Sequence, residues 1–95
     1  MSNSAGKDSH AYLSVFYGIV IQMFWRDHDP PHFHALSGEH EAVFDLRDLC
    51  VLRGTLPRRA MLLVLEWATD HREELREDWN LCSQLKSPRR IDPLT

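Results

Sequence analysis

From Arg58 to Leu85 the chain runs without a glycine or a proline, whereas all four glycines lie before it. Such a stretch can form a helix over its whole length. Within it, Ala60, Val64, Trp67, His71, Leu75, Trp79 and Cys82 follow one another at steps of 4, 3, 4, 4, 4 and 3 residues. That spacing keeps one helical face and predicts one long C-terminal helix, kinked near Thr69–Arg72. Leu62, Leu63 and Leu65 widen the apolar face of its first half, and "DHREELRED" covers the outer face of the second. Thr55 is the expected N-cap, with Pro57 in the first turn.

Before Gly54 the period is different. "VFYGIVIQMFW", Val15 to Trp25, is β-branched and aromatic on both faces and reads as a central strand, with Gly18 as a bulge or a close approach. Further strands are expected at about His32–Leu36, at 41–46 and at 50–54, with Gly38 in a turn. The fold class is therefore α+β: a three- to four-stranded antiparallel sheet followed by one long helix packed on it. Residues 1–13 are expected to be a disordered leader and 14–94 a single domain. Residues 86–95 form a tail anchored by Ile91 and Leu94.

Composition narrows the function classes. At 95 residues with 43% apolar and 26% charged, the chain suits one globular domain with a modest core. A net charge of −3 is too small a bias to select nucleic-acid or membrane partners. No run is apolar enough to span a membrane. Cys50 and Cys82 lie in no metal-binding spacing and are expected to be free, buried and inert, which suits the cytoplasm. A Ser-His-Asp set, a phosphate-binding glycine loop and an HExxH motif are all lacking.

The segment with chemical content is "DHDPPHFH", residues 27–34. Pro30 and Pro31 exclude helix, and Asp27 and Asp29 suit turn positions. A cis bond at Asp29–Pro30 or Pro30–Pro31 would fit such a turn. His32 and His34 stand two apart on an expected strand, so both point to one face and Phe33 to the other. Three uses remain open. In the first, the turn is structural or contacts a partner. In the second, His32 or His34 acts as a metal-free acid–base residue, with Asp27, Asp29 or His28 beside it and Arg26, Arg53, Arg58 or Arg59 on a phosphate. In the third, His32, His34, Asp27 and Asp29 hold a divalent ion such as zinc. No cofactor is required by the first two. His71 is a further candidate for the cluster, Trp79 for a partner-binding anchor, and Glu66 for a partly buried acid that needs a partner.

"FYGIVIQMFWRDHDPPHFHA", "LRGTLPRRAMLLVLEWATDHREELREDWN" and the closing "RRIDPL" together resemble the bacterial DUF4160 family, over about residues 14–94. The resemblance implies a small cytoplasmic protein, often encoded beside a DUF2442 protein in an arrangement like a toxin–antitoxin pair. It assigns no active site and leaves enzyme activity open. The expected function is that of a member of such a module acting through a protein partner, with RNase-like histidine chemistry on RNA as a further possibility. A non-catalytic adaptor or antitoxin-like regulator and a metal-binding domain are the alternatives.

Overall fold

A computed structural model describes residues 10–95. Five strands come first: β1 (His10–Phe16), β2 (Ile19–Phe24), β3 (His32–Ser37), β4 (His40–Asp45) and β5 (Val51–Gly54). Two helices follow, α1 (Arg58–Asp70) and α2 (Arg72–Ser83). The strands form one antiparallel sheet in the order β1-β2-β3-β4-β5. The α+β class holds, but with five strands in place of three or four and two helices in place of one.

The extra strand comes from the Val15–Trp25 run, which is a hairpin and not a single strand. Tyr17 and Gly18 have φ of 50° and 77°. Two consecutive left-handed residues make the tight turn whose twist matches the flanking strands. Gly18 is thus the second turn residue, and the bulge lies instead at Leu13, between Tyr12 and Ser14. The strand also begins at His10, so residues 10–13 of the expected leader are β-structure; the remainder of that leader lies outside the described residues.

The helix divides at His71, inside the expected kink. His71 caps both helices with φ −127° and ψ 29°. Neither glycine nor proline causes the break. Thr69 Oγ1 donates back to Leu65 O at 2.7 Å, a bond that bends helices. The His71 ring lies 5.4 Å from the Trp67 ring and bonds to Glu74 in the next helix. The N-terminal cap is Pro57 rather than Thr55, with no side-chain cap bond.

Alternation along the strands sorts the sheet into two faces. Ile19, Ile21, Met23, Phe33, Ala35, Ala42 and Phe44 are buried on the helix side. Phe33 stacks on Phe44 at 5.1 Å and meets Trp67 of α1 edge-on at 6.1 Å. From the helices, Ala60, Val64, Trp67, Leu75, Trp79 and Cys82 enter the core, the face set by the 3–4 spacing. Leu62 does not; it is 57% exposed. Glu66 is likewise exposed and so has no need of a buried partner. Cys82 is buried, but Cys50 is exposed, contrary to expectation.

The tail closes the far side. Ile91 is buried, its N–H donates to Leu13 O at 2.8 Å, and Leu94 packs against the core. The Trp67 indole N–H donates to Asp92 O at 2.8 Å. At the other edge, Gly54 has φ 79°, and a Cβ there would stand 2.1 Å from Glu41 O. Only glycine lets β5 approach β4 so closely. No helix of the described residues is long and apolar enough to cross a membrane.

Candidate functional site

The second face of the sheet carries His32 and His34, as period-two geometry requires. Their cross-strand partners there are Asp45 for His32, and Gln22 and Val43 for His34. Both imidazoles are buried, at 7% and 6% exposure. The crossover from β2 to β3, residues 25–31, brings Asp27 over them. It is tied to α2 by Arg26 N–H to Cys82 O at 3.3 Å, and to the following turn by Trp25 Nε1–H to Lys86 O at 2.9 Å. Its Asp29–Pro30 bond is cis.

Asp27 Oδ2 lies 2.8 Å from His32 Nε2 and 3.8 Å from His34 Nε2. Burial alone would raise the Asp27 pKa. The His28 backbone N–H and the His32 imidazole outweigh it and hold the carboxyl below the usual range. The far ring nitrogens are anchored as well. His32 Nδ1 lies 2.6 Å from Pro30 O, and a carbonyl oxygen only accepts, so that nitrogen carries a proton. His34 Nδ1 donates in the same way to Glu41 Oε2 at 2.8 Å. Each imidazole therefore turns Nε2 towards Asp27. His34 Nε2 is buried and without a hydrogen-bond partner. The ligand atoms of Asp27, His32 and His34 all lie within 4.8 Å of one another.

The walls of the cluster are aromatic. The Phe24 ring is 4.6 Å from that of His34, and the Trp79 ring 5.1 Å from that of His32. Trp79 is 7% exposed and walls the site from α2. Asp45, opposite His32, is buried, and the Arg47 fork at 2.7 and 3.0 Å keeps its carboxyl ionised below the usual range despite that burial.

The other expected site residues are less concentrated. His28 stands at the rim, its side chain 90% exposed and Nδ1 3.2 Å from Asp27 Oδ1. Asp29 lies in the same turn but does not join the ligand group. Arg26 is adjacent in the chain. Arg53, opposite Val43, shares the histidine face and lines a shallow depression with Glu41, Val43 and Gly54. Arg58 and Arg59 do not come to the histidines. Arg59 lines a depression with Tyr17 and Ser37, at the other end of β3 from His32, and Arg58 a groove with Leu62 and Glu66. His71 stays with Trp67 and Glu74 at the helix break. Sequence reasoning did not single out Glu41. Its position is two residues from Val43, the cross-strand partner of His34, which puts it on the same face once the β3–β4 register is known.

These features define a small α+β protein with two helices on one face of a meander sheet and a buried histidine–carboxylate cluster on the other. A family model described as a domain of unknown function, DUF4160, matches residues 18–80, and the chain belongs to that family. No curated protein and no solved structure matches the chain.

Proposed function

We propose that this chain is a non-catalytic, partner-binding member of a two-protein, toxin–antitoxin-like module in the bacterial cytoplasm, and that the outer edge of β5 receives the partner. The difference between the two sheet edges carries this reading. The β1 edge is covered at Leu13, whose carbonyl accepts from Ile91 N–H at 2.8 Å and from the Arg90 guanidinium at 3.4 Å. β5 ends the sheet on the other side, and every residue of Val51–Gly54 is exposed. Val51 and Leu52 are 40% and 46% exposed. An open edge with apolar side chains is a template for a strand of another protein. A DUF2442-type protein encoded alongside is the partner that the family resemblance suggests.

Histidine-dependent RNA cleavage is the weaker reading. Of the four candidate phosphate cations, Arg58 and Arg59 line depressions away from His32 and His34, and only Arg26 and Arg53 remain near them. Both imidazoles are also too buried for a ribose to reach.

Co-expression with the neighbouring protein and pull-down tests the proposal. Leu52→Glu is expected to weaken the complex by about tenfold or more, the effect of a central interface position. Asp27→Ala should leave the complex intact and should not change RNA cleavage or growth in the same cells. A complex that forms equally well with Leu52→Glu would remove β5 as the docking edge.

A further inference from the structure

Beyond partner binding, we propose that Asp27, His32 and His34 form a mononuclear site for a divalent transition-metal ion, with His32 Nε2, His34 Nε2 and an Asp27 carboxylate oxygen as ligands. Three features point the same way, and each concerns a different atom.

The first is the unpartnered nitrogen. His34 Nε2 is buried with no hydrogen-bond partner, and Nδ1–H already donates to Glu41 Oε2. With Nδ1–H engaged by Glu41, Nε2 is the ring atom left to present a lone pair to a ligand, and it does so in a buried place. Leaving such an acceptor buried and unmatched is unfavourable, and no protein group among the described residues relieves it here. A metal ion in front of the lone pair removes the cost.

The second is the treatment of the Nδ1 atoms. Metal-bound histidines characteristically donate the other ring N–H to a backbone carbonyl or a carboxylate, which fixes the ring and raises ligand basicity. Both versions occur here. His32 Nδ1 donates to Pro30 O at 2.6 Å and His34 Nδ1 to Glu41 Oε2 at 2.8 Å.

The third is the spacing. Ligand bonds of about 2.0–2.2 Å place neighbouring ligand atoms roughly 3.0–3.5 Å apart. The separations here, 2.8 Å from Asp27 Oδ2 to His32 Nε2 and 3.8 Å to His34 Nε2, bracket that range. All three ligand atoms lie within 4.8 Å of one another, so shifts of Asp27, the most exposed of the three, and of the imidazoles would bring them to ligand spacing.

The donor set indicates the class of ion. Two imidazoles and one carboxylate, without thiolate, suit zinc, iron(II), cobalt(II), nickel or manganese. Calcium and magnesium want oxygen ligands in greater number, and copper(I) wants sulfur. Three protein ligands leave at least one coordination position for water or an exogenous ligand.

The test uses the full-length, tag-free protein after chelator treatment and dialysis, titrated with zinc(II) and with cobalt(II). One equivalent is expected to bind, with a visible cobalt absorption band and a rise in Tm. Asp27→Ala and Glu41→Ala alter partly exposed side chains and keep the fold. The first removes a ligand and should weaken binding about 100-fold. The second removes only the support of His34 Nδ1 and should weaken it about 10- to 100-fold. His40→Ala, on the exposed start of β4, should bind as wild type. Absence of stoichiometric binding overturns the proposal. So does binding that is unchanged in both Asp27→Ala and Glu41→Ala, since that ion would sit on surface histidines.

Discussion

Asp78 is the residue whose ionisation works most directly against the fold. It sits in α2 at 2% exposure, with one carboxylate oxygen accepting from the Arg89 N–H at 2.9 Å and the other unpartnered. Burial pushes its pKa up to about 6, against the pull of the Arg89 N–H and with help from Glu77 and Glu74. The folded protein therefore keeps a proton that the unfolded chain releases near 3.8. The contribution is fully favourable below that unfolded value and is lost as pH rises through about 6. At pH 7 the buried charge costs about 2–3 kcal/mol. Asp78→Asn preserves the acceptor for Arg89 and carries no charge. It is expected to stabilise the protein by that amount at pH 7 and by little near pH 4. Urea unfolding of both proteins across that range measures the difference. Asp27 and Asp45, held below the usual carboxylate range, act in the opposite sense: their contribution is present above the unfolded value near 3.8 and is lost as pH falls through their lower folded values.

At the scale of elements, the β1–β2 hairpin shows what local sequence conveys and what it conceals. The strands on either side of Tyr17–Gly18 are apolar enough to merge into one run, and the turn lacks the asparagine or aspartate that normally marks it. Tyr17 nevertheless takes φ 50°, a conformation that costs a non-glycine residue about 1–2 kcal/mol. Its ring is 58% exposed, so little packing offsets that cost. Tyr17→Asn is therefore expected to stabilise the protein by about 0.5–1 kcal/mol, and Tyr17→Val to destabilise it by at least as much, read from thermal or urea unfolding. The helical face from Ala60 to Cys82 was legible because each of its positions is determined by its neighbours three and four residues away. The pairing of His32 with His34 was legible for the same reason, at period two. Glu41 and the orphaned His34 Nε2 were not, because they depend on the register between β3 and β4, which spacing within one strand does not encode. The separation of Arg58 and Arg59 from the histidines is likewise a matter of which end of the sheet the helix starts from.

At the scale of the whole fold, residues 89–92 tie both helices to one edge of the sheet. β1 is an edge strand, and the tail lies along it with Ile91 at 3% exposure. Three contacts of residues 89–92 reach separate parts of the fold: Arg89 N–H to Asp78 of α2, Ile91 N–H to Leu13 of β1, and Asp92 O to Trp67 of α1. The tail is thus the piece that joins both helices to the sheet edge, although it has no regular structure. Ile91→Ala would leave a cavity among side chains that the backbone bonds on either side keep from collapsing. Its expected cost is about 2–4 kcal/mol, typical of a buried aliphatic truncation. Leu94→Ala, at a partly buried position beyond the last of these bonds, should cost about 1 kcal/mol or less. The two variants, compared by urea unfolding with tryptophan fluorescence, separate a structural strap from a loosely attached end. Equal and small effects would mean that the sheet and helices hold together without the strap. A large effect confined to Ile91 would make residues 89–92 part of the core.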